Sequence, residues 1–184
     1  QLSLFQTAPY APPENLPEYP KLTITGPPEP QVISNEEELK KFAEELGQQP
    51  VFAVNLHTMG AESLCTEIVG YAFAWGGGFE RAEDGSILVT KPTGNEDSGI
   101  KTAYIPIGHS GILSQGQIDQ DLIDKYLKPI FESERIGKIA QNAKNEMNVL
   151  STCGIKMGPI VFDTMIASYI ANPDEKHGLK EQVE

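Results

Sequence analysis

Apolar and polar positions follow two different periods along the chain, and together these periods predict a mixed α/β domain. Residues 51–54 form a short, wholly apolar run, which is typical of a strand buried on both faces of a sheet. Residues 67–75 and 103–107 predict a second and a third strand. The polar stretch 81–99 between them is expected to be a loop insertion with a hairpin at residues 87–89.

Four helices are predicted, and in the first two of them apolar side chains recur at helical spacing. The first begins after Asn35 or Ser34, either of which can cap a helix, and ends at Gly47. Its first turn is acidic, which suits the positive end of the helix dipole. The predicted helices cover residues 36–46, 118–127, 144–153 and 164–170, and two short strands cover residues 138–140 and 159–162.

Three consecutive strands followed by strand–helix–strand–helix predict an α/β fold. We expect a mixed sheet of about five strands, three antiparallel and the later ones parallel, with helices on both sides. The domain is expected to cover residues 31–184. Residues 1–30 hold eight of the fourteen prolines and are interpreted as an extended arm or linker, because proline removes a backbone donor and fixes φ.

Composition narrows the possible function classes. The 184 residues include 26 Asp and Glu against 14 Lys and Arg, which gives a formal net charge of −12. Nucleic-acid-binding modules are usually basic, because neutralised phosphates supply much of their affinity, so this charge argues against unaided DNA binding.

No apolar stretch reaches the ~18 residues of a membrane span. Cys65 and Cys153 have neither the spacing of a zinc site nor that of a disulfide framework. We expect a cytoplasmic protein without membrane contact.

Functional groups of such folds gather where parallel strands end, because loops leave the rigid sheet there. Asn55 and His57 follow the first strand and, being two residues apart, point to the same side of an extended segment. Glu146 lies about one turn into the helix after the fourth strand and is expected to face the same crevice. Asp163 follows the last strand, and we interpret it as a helix cap in preference to a metal ligand.

From about residue 32 onward, the chain resembles the 3′–5′ exonuclease domain of family A DNA polymerases, the bacterial DNA polymerase I type. The resemblance rests on five stretches: VFAVNLHT at Val51, EIVGYAFAW at Glu67, AYIPIGH at Ala103, IAQNAKNEMNVL at Ile139 and FDTMIASYI at Phe162. It implies a ribonuclease H-like fold. It also implies an enzyme family that removes misincorporated 3′ nucleotides with two divalent metal ions.

The site motifs depart from that family. The resemblance places an Asp-x-Glu motif where this chain has Asn55 and His57, and an aspartate where it has Glu146. The family's third motif, a Tyr and an Asp, would lie beyond residue 184. Two hard cations ~3.5–4 Å apart need several anionic oxygens, and imidazole favours softer metals than Mg²⁺. We therefore expect Asn55, His57 and Glu146 to be vestigial positions of an inactive exonuclease site that binds no metal.

We expect the chain to be a fragment of a family A DNA polymerase in which this domain serves as a scaffold. Its partners would be the polymerase segment of the same enzyme, with its Mg²⁺, and DNA held through that segment. One alternative is an active exonuclease with an unusual metal site built from His57, Glu146, Asp163 and a carboxylate supplied by a partner. Another is an adaptor that only binds a sliding clamp.

The clamp hypothesis rests on the first five residues, Gln1, Leu2, Ser3, Leu4 and Phe5. They resemble the pentapeptide by which bacterial replication proteins bind the sliding clamp. An extended arm would place Leu4 and Phe5 in an apolar pocket while Gln1 makes polar contacts. The alternative is that Leu2, Leu4 and Phe5 pack on the chain's own domain.

Overall fold

The computed structural model describes residues 29–59, 67–89, 99–109 and 116–180. Most of the proline-rich arm, including the clamp-like residues 1–5, lies outside these ranges. Within them the chain forms, in order, β1 (Gln31–Val32), α1 (Glu36–Leu46), β2 (Val51–Met59), β3 (Glu67–Gly76), β4 (Phe79–Arg81), β5 (Ile87–Val89), β6 (Ile100–Pro106), α2 (Gln120–Tyr126), α3 (Lys128–Phe131), β7 (Gly137–Ala140), α4 (Ala143–Thr152), β8 (Ile160–Asp163) and α5 (Thr164–Ala171).

The main sheet has the strand order β1-β6-β3-β2-β7-β8. Strand β3 is antiparallel to both β2 and β6, whereas β7 is parallel to both β2 and β8. This is the predicted mixed sheet, with three antiparallel strands followed by parallel ones. The two-residue strand β1 is an addition to the predicted sheet; it pairs in parallel with β6 at the edge.

The core lies on one face of this sheet and is built around aromatic rings. Phe73 of β3 lies 5.8 Å from Phe52 of β2, 5.1 Å from Phe42 of α1 and 6.0 Å from Phe131 of α3, measured between ring centroids. Trp75 packs edge-on against Phe42 at 5.2 Å. All five rings are at most 4% exposed. Burial of such a side chain contributes about 1.5–3 kcal/mol, so helices α1 to α4 are held on this face mainly by apolar packing.

The opposite face of the sheet carries small side chains. Ala53 of β2 and Ala72 of β3 are half-buried, while their neighbours point into the core, because successive side chains of a strand lie on opposite faces. A cavity of about 240 Å³ lies on this face and is also lined by Asn55, Thr164 and Leu179. The candidate site therefore borders a shallow, mainly apolar space.

Local sequence signals account for most element boundaries. Asn35 caps α1 as predicted, since its Oδ1 accepts the backbone N–H of Glu38 at 3.0 Å. The predicted hairpin is present as β4 paired with β5. The helix predicted over residues 118–127 is present as α2, which is two residues shorter at its start and one at its end, and the short helix α3 follows it. Pro129 lies in the first turn of α3, where its missing N–H is tolerated.

In the described ranges, no helix combines the length and apolar character needed to cross a bilayer.

Candidate functional site

Strand β2 runs beyond its buried part into the candidate site. It pairs with β7 as far as Ala53 and with β3 up to Met59. Past Ala53, Asn55 and His57 are exposed, whereas Leu56 between them is 7% exposed and packs in the core. The prediction that Asn55 and His57 share one side of the strand is confirmed.

Glu146 lies in the first turn of α4 and is buried, with 5% of its surface exposed. Its Oε2 atom accepts the backbone N–H of Leu56 at 2.9 Å. The carboxylate thus bonds the β2 backbone just beyond the point where pairing with β7 ends. Burial raises the pKa of the Glu146 carboxyl to about 7, although the Leu56 N–H acts in the opposite direction.

Asp163 is a helix cap, as the sequence predicts. Its Oδ1 accepts the backbone N–H groups of Met165 at 2.9 Å and Ile166 at 3.3 Å, in the first turn of α5. The same carboxylate accepts the N–H groups of Asn142 at 3.2 Å and Ala143 at 2.7 Å, where α4 begins. Asp163 therefore links the starts of two helices.

A second polar cluster lies on the open side of the sheet and includes His57. The His57 Nδ1 atom is 3.1 Å from Oη of Tyr104, and the His109 Nε2 atom is 2.6 Å from the same oxygen. The centroids of the two imidazole rings are 5.5 Å apart. Partial burial raises the pKa of the Tyr104 phenol, which favours its protonated form.

Two features hold this cluster in place. Gly70 of β3 lies directly beneath Tyr104: a Cβ added there would come within 2.1 Å of Oη. The missing side chain lets the Tyr104 ring cross β3 from β6 and reach His57 on β2. Gln117 binds the His109 backbone twice, accepting its N–H at 2.5 Å and donating to its carbonyl at 2.8 Å.

The structure does not bring His57, Glu146 and Asp163 into one cluster. Each carboxylate binds backbone N–H groups, while His57 binds Tyr104. In the part of the chain that the structure describes, no three His, Cys, Asp or Glu side chains are placed to hold a metal ion together. The ligand set considered from the sequence is therefore not assembled among these residues.

Tyr104 and His109 belong to this region, but the sequence pattern does not identify them as site residues. The pattern of residues 103–107 predicts only a strand, and His109 follows it in a loop. One usable signal was the alternation in β6, because Tyr104 lies between the buried Ala103 and Ile105 and must face the other side. Gly70 was the second signal, since a glycine inside a strand often marks a close approach.

The polar residues of β2 beyond its pairing with β7 do not suit a pair of Mg²⁺ ions. Such a pair needs several carboxylate oxygens directed at one place. Asn55 supplies a neutral amide, His57 supplies an imidazole nitrogen, and Glu146 uses one of its oxygens for the Leu56 N–H. This donor set has too few anionic oxygens for two hard cations.

Comparisons with known proteins point to one family. A family model described as 3′–5′ exonuclease, of the DNA polymerase A type, matches residues 30–184. The DNA polymerase I of Synechocystis is 32% identical over 189 residues, which cover 98% of this chain and 16% of that protein. The DNA polymerase I of Chloroflexus aurantiacus is 28% identical over 162 residues, which cover 88% of this chain and 14% of that protein. The chain thus spans only a small part of the length of these relatives.

The structural comparison agrees on the fold. RNase D of Escherichia coli, an exoribonuclease involved in structured RNA processing, superposes with a TM-score of 0.53 at 16% identity, over 85% of this chain and 32% of that one. This similarity supports the ribonuclease H-like α/β arrangement described above and nothing about activity. Because the family model covers most of the sequence, the chain belongs to the 3′–5′ exonuclease domains of family A DNA polymerases.

Proposed function

We propose that this domain is a degenerate proofreading exonuclease that has kept the fold and lost the hydrolytic site. The observation that carries the proposal is the pair Asn55 and His57 in β2, where the family resemblance calls for two carboxylates. Phosphodiester hydrolysis by two metals needs one ion to activate water and one to stabilise the leaving 3′ oxygen. An amide and an imidazole cannot replace the carboxylates that hold these ions.

The remaining role is structural, within a DNA polymerase of bacterial replication and repair in the cytoplasm. In this proposal the domain packs on the polymerase segment of the same enzyme, which holds the DNA and its own Mg²⁺. Exposed apolar side chains on β8 and α5 support such packing: Phe162 is 50%, Tyr169 is 58% and Ile170 is 76% exposed. The net charge of −12 would discourage a DNA 3′ end from entering the vestigial site.

The test is release of 3′ nucleotides from single-stranded DNA in the presence of Mg²⁺ or Mn²⁺. We expect no release above the background of a Glu146→Ala preparation purified in the same way. Robust turnover that Glu146→Ala abolishes would contradict the proposal. It would support the alternative of an active nuclease that uses His57 and Glu146.

We also propose that residues 1–5 bind a sliding clamp, on the sequence resemblance alone. A peptide of residues 1–8 is expected to bind the bacterial clamp, and the same peptide with Leu4→Ala and Phe5→Ala is expected to bind at least about tenfold more weakly, because hydrophobic anchors dominate such interfaces. Equal binding of the two peptides, or none by either, would remove the clamp from the list of partners.

A further inference from the structure

Two imidazole nitrogens converge on a single oxygen atom beside the vestigial site. Nδ1 of His57 and Nε2 of His109 approach Oη of Tyr104 from two different elements, β2 and the segment after β6. A phenol carries one proton, so it can donate to only one of these nitrogens. The other imidazole must either donate its own N–H to Oη or leave its lone pair directed at that point.

The convergence is set by the surrounding chain. Gly70 leaves the space that the Tyr104 ring occupies, and Gln117 fixes the His109 backbone with two hydrogen bonds. His57 is exposed, while Tyr104 and His109 are half-buried, so the cluster lies near the protein surface. Fixed donor positions of this kind lower the cost of organising a ligand set.

We propose that His57, His109 and Tyr104 form a binding site for one divalent transition metal ion of the Zn²⁺ or Co²⁺ class. The two imidazole nitrogens are the principal ligands, the phenol oxygen is a third, and water completes the coordination. Imidazole nitrogen favours such ions over Mg²⁺, which prefers oxygen ligands. The same substitution that removes the Mg²⁺ ligands, with His57 in place of a carboxylate, thus supplies a ligand for a softer metal.

The distances are compatible with this assignment. Zinc–nitrogen bonds are about 2.0–2.1 Å long. For an ion placed where Oη now lies, the His109 nitrogen would approach by roughly 0.5 Å and the His57 nitrogen by roughly 1 Å. The phenol oxygen would move aside by roughly 2 Å, which is one metal–oxygen distance, to become a ligand. Rotations of the three side chains can supply these movements without displacing the strands.

The test of this site does not depend on whether the domain hydrolyses DNA, because metal binding is measured without a hydrolysis assay. Calorimetry with Zn²⁺ and visible absorption with Co²⁺, both on the whole 184-residue chain, are expected to show one bound ion per chain. His57→Ala and His109→Ala should each weaken binding at least about tenfold, because each removes one of two nitrogen ligands. Mg²⁺ in large excess should not compete.

Two further variants separate this site from unspecific binding. His177→Ala removes the chain's third histidine, which bonds to Ser168 away from this cluster, and should leave the affinity unchanged. Tyr104→Phe keeps the ring over Gly70 but removes Oη, and should weaken binding by a smaller factor than either histidine variant. If an alanine variant fails to fold by circular dichroism, His57→Gln or His109→Gln replaces it.

The proposal is overturned if no ion binds, or if the His57 and His109 variants keep the affinity of the unmodified chain. It is also overturned if His177→Ala weakens binding as much as they do. Nitrogen-15 NMR gives an independent readout, because the proposal requires the metal-induced shift at Nδ1 of His57 and at Nε2 of His109. A shift at the other nitrogen of either ring contradicts it.

Discussion

Oε2 of Glu146 accepts the backbone N–H of Leu56 at 2.9 Å, which connects the first turn of α4 with the strand that carries Asn55 and His57. The bond satisfies a donor of β2 just past the last residue paired with β7. A buried backbone N–H without an acceptor costs about 1–3 kcal/mol, so this contact has a structural value that is independent of catalysis.

The raised pKa of Glu146 predicts a pH-dependent stability. Its pKa is about 7 in the folded chain, above the ordinary glutamate value of 4.5, so between these values the folded state binds more protons than the unfolded state. The stability that the protonated Glu146 carboxyl contributes is complete below about pH 4.5 and is lost as the pH rises towards 7. The loss is about 3 kcal/mol in the free energy of unfolding. Urea unfolding from pH 4.5 to 8 should show the free energy of unfolding falling with pH in the unmodified chain and staying nearly constant in Glu146→Gln.

Glu45 provides the matched control for that measurement. Hydrogen bonds from Lys101 and Trp75 lower the pKa of its carboxyl, so its stabilising contribution is present above the unfolded pKa and is lost as the pH falls. The Glu45→Gln variant should therefore show the same fall in the free energy of unfolding between pH 4.5 and 7 as the unmodified chain. If the free energy of unfolding still falls with pH in Glu146→Gln, another titratable group is responsible.

Asp163→Ala should lower the free energy of unfolding by about 2–4 kcal/mol, because the carboxylate accepts N–H groups at the starts of both α4 and α5. Asn35→Ala is the comparison, since Asn35 caps α1 with one side-chain bond and should cost about 1 kcal/mol. Chemical denaturation measures both. Equal losses in the two variants would mean that Asp163 does not join the two helices.

Gly70→Ala should destabilise the chain by about 1–3 kcal/mol, because the new methyl group would overlap the Tyr104 ring. In a Tyr104→Ala background the overlap disappears and the same substitution should be nearly neutral. The coupling between the two positions can be measured as a double-mutant cycle by denaturation. Additive effects would argue against the close approach of Tyr104 to β3.

Restoring carboxylates should restore affinity for hard cations. The combined variant Asn55→Asp, His57→Glu and Glu146→Asp is expected to bind Mg²⁺ at least about tenfold more tightly than the unmodified chain, because oxygen anions replace an amide and an imidazole. Calorimetry with Mg²⁺ measures the difference. Tight binding of two Mg²⁺ ions by the unmodified chain would refute the account of a degenerate site.

The sequence predicted the sheet well because its strands are either wholly apolar or strongly alternating. Residues 51–54 and 67–75 are such runs, and their positions in the sheet follow from the order of elements. The site was predicted only in part. Asn55 and His57 are two residues apart in one strand, so their common orientation follows from strand geometry alone.

The other contacts at the site join residues far apart in the sequence. Tyr104 lies 47 positions from His57 in the sequence and reaches it across Gly70. Glu146 lies 90 positions from Leu56, whose backbone it contacts. No local pattern indicates which side chains meet over such separations. Strand β2 continues beyond its apolar part because it pairs with β3. The sequence of β2 alone does not reveal this pairing.

The four-residue strand β8 lies at one edge of the main sheet, and in the described chain no strand pairs with its outer side. Val161 and Phe162 on this strand are 42% and 50% exposed. An open edge that carries apolar side chains is a template for strand addition between molecules. The isolated chain should therefore self-associate on concentration, and a lysine at Val161 is the change best placed to keep preparations monodisperse.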